Sequence, residues 1–131
     1  MSYLVDSDWL IDATGGSAAA TDFLAQLSAD GLAVSIIAVA EVFEGAFGVS
    51  HSEARLAAYR EFLSDYAILP LTDGIVERFA RLRAELRRQG QLIPDMDLLI
   101  AATALDEDLT LVTRNIRHFA RIDALKLYQP G

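Results

Sequence analysis

The run LVDSDWLID sets two acids, Asp6 and Asp8, directly behind a short apolar stretch. A carboxylate at the end of a buried strand is costly to desolvate unless a cation or hydrogen-bond donors meet it. Other polar residues fall at comparable places: Glu41 between Ala40 and Val42, Asp95 and Asp97 ahead of LLIAATAL, and Thr113 and Asn115 behind LTLV. A shared hard cation would relieve all of these acids at once. Mg2+ and Mn2+ prefer oxygen ligands, and a carboxylate cluster that holds one is a device for in-line phosphodiester hydrolysis.

Each residue also has a plainer use. Asp6 or Ser7 would cap a helix beginning at Trp9, and Asp8 would sit in its first turn, favoured by the helix dipole. Glu41 alone reads as a surface acid, Asp95 and Asp97 as helix-start acids, and Asn115 as a turn residue. His118 is a general-base candidate or part of a turn, while Trp9 and Tyr128 read as core or interface. The joint position of the acids is what argues for chemistry. Spacing leaves the choice between Asp95 and Asp97 open, because both lie in one helical turn. Asp97 adjoins the apolar LLIAA run that would anchor it; Asp95, following Pro94, suits a cap or a supporting hydrogen bond.

Positioning these residues requires an alternating chain. Tyr3 to Val5 reads as a strand, and Thr14-Gly15-Gly16-Ser17 as a break before an amphipathic helix from Ala18 to Leu27. Leu32 to Val34 is a second strand, Ser35 a cap for a helix through AVAEVFEGAF, and Gly48 its end. A helix from about Ser52 to Asp65 leads into a strand over Ala67 to Leu69. Thr72 or Asp73 caps a long helix to Arg88, with Gly90 just past it. Pro94 opens a helix apolar nearly all round, the mark of an element buried between a sheet and other helices. LTLVT makes a strand, Asn115 to Phe119 a turn or short helix, and Leu125 to Tyr128 a last strand. This order predicts an α/β fold, a three-layer α/β/α sandwich with a central, mainly parallel sheet. In such sheets the ligand site forms at the carboxyl ends of the strands, where the polar residues named above fall.

At 131 residues and 53% hydrophobic, the chain suits one core-bearing domain over residues 1–131. The absence of cysteine excludes disulfides and thiolate zinc sites. No basic leader is visible, and the apolar runs around Ile36 and Ile100 are far shorter than the ~20 residues of a membrane span. These features predict a soluble cytoplasmic protein with no membrane partner. The net charge of −8 opposes nucleic-acid binding in the bulk. The basic residues are nearly all Arg, however, and fall into two clusters, Arg78, Arg81, Arg83, Arg87 and Arg88, and Arg114, Arg117 and Arg121. Each cluster is either a solvated helix face or a local contact for a phosphate backbone.

LVDSDWLID, SIIAVAEVFEGA, PDMDLLIAATAL and LVTRNIRHFARI together resemble, in order and interval, the four motifs of PIN-domain ribonucleases, in particular VapC-type toxins of bacterial toxin-antitoxin pairs. The resemblance implies a single PIN domain in which Asp6, Glu41 and Asp97 bind Mg2+ or Mn2+. Asn115 stands where PIN domains often carry a fourth acid; an amide oxygen coordinates without bringing charge. Ser7, Asp95, Thr113 and His118 become supporting residues, and Arg83, Arg87, Arg88, Arg114 and Arg117 candidate RNA contacts. It further implies an endoribonuclease acting on tRNA or ribosomal RNA, a homodimer, and inhibition by a cognate VapB-type antitoxin.

Two other readings compete. Asp6-Ser7-Asp8 mimics the paired aspartates of haloacid-dehalogenase-like phosphatases and phosphotransferases, but that family expects Thr where this chain has Leu10 and a helper Lys, and the single lysine is Lys126. A receiver domain fails similarly. A non-catalytic PIN-like binding module would be expected to lose the acids, which this chain keeps.

Overall fold

A computed structural model describes residues 1–129. β1 (Tyr3–Val5) leads to α1 (Ser7–Thr14) and α2 (Ala18–Leu27), and a 3-10 turn over Ser28–Asp30 precedes β2 (Leu32–Ser35), α3 (Ile36–Phe47) and α4 (Ser52–Leu63). β3 (Ala67–Leu69) is followed by α5 (Asp73–Arg88) and α6 (Asp95–Asp106), then β4 (Thr110–Val112) and the single turn α7 (Ile116–Phe119). The strands pair in parallel in the order β3-β2-β1-β4. Successive side chains of a strand face opposite sides of its sheet. Leu4 and Val5, Ala33 and Val34, and Leu111 and Val112 are all buried, so helices cover both faces and the predicted three layers are present.

Short polar side chains punctuate the chain where the sequence implies. Ser17, Ser35 and Thr72 each accept a backbone N–H of the first turn they cap, those of Ala20, Ile37 and Ile75, a contact worth about 1 kcal/mol each. Gly31 and Gly90 take positive φ, 78° and 66°, a conformation that a Cβ disfavours. α1 starts at Ser7, two residues earlier than Trp9, because Asp6 itself is the cap and accepts from the Ser7 N–H.

α6 is the buried helix expected from DLLIAATAL: Leu98 and Ile100 through Ala104 are all buried, and its one polar member there, Thr103, donates to the Leu99 carbonyl at 2.8 Å. It runs antiparallel to α5, with Arg78 paired to Asp106 at one end and Arg83 to Asp95 at the other. Arg121 donates to the Leu92 carbonyl at 2.8 Å, which ties the α5–α6 connection to the segment behind α7.

The expected last strand, Leu125 to Tyr128, is not formed. Only an isolated parallel bridge joins Leu127 to Leu111, made by Leu111 N–H to the Lys126 carbonyl at 2.8 Å and Tyr128 N–H to the Leu111 carbonyl at 2.9 Å. The turn behind α7 is the reason: Leu125 spends its N–H on the Ile122 carbonyl, so pairing starts one residue later and ends at once.

Candidate active site

Parallel pairing of Val5 with Val112 carries the chain beyond β1 and β4 side by side. The Asp6 N–H donates to the Val112 carbonyl at 2.9 Å, and the Thr113 hydroxyl donates to Asp6 Oδ2 at 2.7 Å. Asp6 Oδ1 accepts from the Ser7 N–H at 2.8 Å. The same Thr113 oxygen accepts from the Asn115 N–H at 3.0 Å, which sets the turn into α7. Asp6, Ser7 and Thr113 are all buried.

α3, capped by Ser35 at the end of β2, presents Glu41 half-buried, with Oε1 enclosed and without a hydrogen-bond partner among the described residues. α6 supplies Asp97 from its first turn. Asp97 Oδ2 lies 3.0 Å from His118 Nδ1, and Asn115 Nδ2 lies 2.8 Å from the same ring nitrogen. One ring nitrogen cannot donate to a carboxylate and accept from an amide together. With Asp97 ionised, Nδ1 carries the hydrogen, and the amide then turns its oxygen to the ring.

These acids share a strained electrostatic environment. Burial pushes the Asp6 carboxyl up to about 6 against the pull of the Thr113 and Ser7 hydrogen bonds, with the charges of Asp8 and Asp97 adding to the rise. Burial likewise raises Glu41, opposed by the Ser7 hydroxyl and reinforced by Asp97 and Asp8. Asp6 and Glu41 thus both feel the charges of Asp8 and Asp97, which disfavour their ionised forms.

Asp6, Ser7, Glu41, Asp97, Thr113, Asn115 and His118 are thus brought to one end of the sheet. Asp95 is not: its exposed carboxylate turns to Arg83 Nε at 2.8 Å. Asp8, whose plainer reading from sequence was a first-turn acid, joins the group. Its Oδ2 accepts from the Arg114 N–H at 2.8 Å, and its Oδ1 from the Trp9 N–H at 2.7 Å. The signal was its spacing of two from Asp6 across a helix start. Of the arginines, Arg83 pairs with Asp95, Arg88 with Glu85 and Arg114 with Asp12. Arg87 and Arg117 are exposed and make no salt bridge among the described residues. Leu10, where a haloacid-dehalogenase-like site needs Thr, is fully buried in the core.

Among the described residues, no three acidic or imidazole side chains are drawn tightly enough together to form a preformed metal cage. The donors nevertheless fit a hard divalent cation: they are carboxylate oxygens, Glu41 Oε1 is buried without a partner, and Asp6 is held ionised at a cost.

The PIN domain family model matches residues 3–125. Ribonuclease VapC2 of Haemophilus influenzae is 40% identical over 95 residues, 72% of this chain and 72% of the relative. Ribonuclease VapC10 of Mycobacterium tuberculosis is 38% identical over 127 residues, 94% of this chain and 90% of the relative. Among solved structures, VapBC2 from Rickettsia felis bound to a DNA fragment from its promoter superposes with a TM-score of 0.89 at 30% identity, covering 100% of both chains. The family model covers nearly the whole sequence and the VapC relatives match most of it, and the chain belongs to the PIN-domain family, within its VapC group.

Proposed function

We propose that the chain, as one PIN domain, is a divalent-metal-dependent endoribonuclease and the toxin of a type II toxin-antitoxin pair. It hydrolyses phosphodiester bonds of tRNA or ribosomal RNA in the cytoplasm, forms a homodimer, and is restrained by a cognate VapB-type antitoxin. The observation that carries the reading is the buried Asp6 carboxylate beside Asp8 and Asp97, with Glu41 Oε1 enclosed and without a partner among the described residues. The names of the relatives supply the substrate class.

Asp6, Glu41 and Asp97 hold Mg2+ or Mn2+. An ion held there would supply polarisation of water and positive charge for the phosphate. The chain's own residues position the acids. The Thr113 hydroxyl and the Ser7 N–H fix both oxygens of Asp6, and His118 Nδ1 holds Asp97 from the side of α7. Asn115 braces the imidazole and brings no charge. Arg87 and Arg117 meet the phosphate backbone outside the acid group, and Arg83 and Arg88 do so on exchanging their acidic partners.

RNA cleavage by the purified chain in Mn2+, in Mg2+ and in EDTA tests the reading. Cleavage should vanish in EDTA and return when either ion is restored; equal cutting in EDTA overturns it.

A further inference from the structure

Arg114 stands one residue from Thr113, at the rim of the acid group, and is built into a stack that metal chemistry does not require. Its guanidinium carbon lies 3.8 Å from the centroid of the Trp9 ring. Trp9, the chain's one tryptophan, stacks on Phe23 with centroids 4.2 Å apart and planes at 27°. Phe23 meets Tyr128 edge-on at 5.6 Å, and Tyr128 meets Tyr3 edge-on at 5.7 Å. Phe23 and Arg114 are both too close to the indole to share a side of it, so they cover opposite faces. The indole is clamped, and the guanidinium rests on a plane that cannot swing away.

The edge of Arg114 is pinned too. Its Nη1 pairs with Asp12, and its backbone N–H is held by Asp8. Much of its charge is therefore answered inside the chain, which makes it a poor trap for a phosphate. What remains available is a flat face: the side chain is 45% exposed although its edge and one side are occupied. Guanidinium planes backed by an aromatic ring are surfaces on which unpaired bases stack, whereas a base within a duplex is already stacked.

We infer that the outer face of Arg114 is a stacking platform for an unpaired nucleobase beside the bond that is cut, with Trp9 and Asp12 as positioning residues. The preferred substrate is then a loop, bulge or single strand of RNA, and one flanking position is recognised through its base rather than its phosphate. This rests on the ribonuclease reading above.

A cycle between protein and substrate tests it. In Mn2+, a single-stranded RNA oligonucleotide that the wild type cuts is compared with copies carrying one abasic nucleotide at each position around the cut. For the wild type, kcat/KM should fall about 5- to 150-fold at one position, the range of a lost base stack. Arg114→Lys keeps the charge and loses the plane; it should show that loss on the intact oligonucleotide and no further loss at that abasic position. Its salt dependence of KM should match the wild type. Trp9→Leu should blunt the same abasic effect, and Arg114→Lys, which leaves the aromatic stack intact, carries the test should Trp9→Leu fail to fold. An Arg114→Lys enzyme as sensitive as the wild type to every abasic position overturns the platform and leaves the nuclease standing. A wild type that cuts no RNA in Mn2+ overturns both.

Discussion

Replacing Asp6 by Asn should stabilise the metal-free protein at pH 8 and abolish metal binding. Burial moves the carboxyl from 3.8 to about 6. That is about 2 units, or roughly 3 kcal/mol held against the ionised fold, taking 1.36 kcal/mol per unit. The sign follows from proton counting: between about pH 4 and pH 6 the folded chain holds a proton at Asp6 that the unfolded chain has lost. Wild-type stability therefore falls as pH rises through that window, and the penalty is fully present above it. Asn carries no charge. It keeps an acceptor for the Ser7 N–H but must rearrange its contact with the Thr113 hydroxyl, a loss of about 1 kcal/mol. The net gain at pH 8 is about 2 kcal/mol, equivalent to about 7 °C in Tm for a chain of this size. Thermal unfolding in EDTA at pH 8 and pH 4 measures it, with the gain present at the first and absent at the second. Saturating Mn2+ should reverse the order at pH 8, because only the wild type is stabilised by binding. An Asn variant that melts lower than the wild type by the same amount at both pH values would show that the ionised carboxylate is fully satisfied and that burial imposes no cost.

Two further outcomes follow from the geometry. Asp97→Asn should remove Mn2+ binding and toxicity, whereas Asp95→Asn, whose carboxylate faces Arg83, should only weaken them; calorimetric titration of both variants decides it, and the opposite ranking reverses the assignment. Ser35→Ala should lower the urea midpoint by the equivalent of about 1 kcal/mol through loss of the α3 cap, and should loosen Glu41 enough to weaken Mn2+ affinity in the same titration.

The elements were legible because their signals are local. Apolar runs broken by Gly, Pro and capping side chains place the four strands and the long helices without knowledge of the fold. Asp6 shows why the site was harder. The cap and the site acid were competing readings of one residue; the cap is formed through one oxygen, accepting from Ser7, while the other, facing Thr113, leaves the second reading compatible with the first. Contacts between distant residues left no trace in spacing: nothing near Asp8 marks the Arg114 N–H, and nothing in the arginine-rich run before α6 says that Arg83 meets Asp95. Leu125 to Tyr128 has the composition of a strand, but the turn ahead of it decides which backbone groups reach β4. Tyr128, read as core or interface, packs on Tyr3 and Phe23.

The pairing of β1 with β4 also fixes when activity can begin. Asp6 is made well before its partner: the hydroxyl that holds it belongs to Thr113, 107 positions later. A nascent chain can form β1, β2 and β3 while still being translated, but it has no β4 to lay beside β1, no Thr113, and no His118 to hold Asp97. Loop closure over such a separation is also slow, since its entropy is lost before the contacts are gained. For an endoribonuclease toxin this ordering acts as a delay: no assembled site exists until the segment that carries Thr113 and His118 has been made.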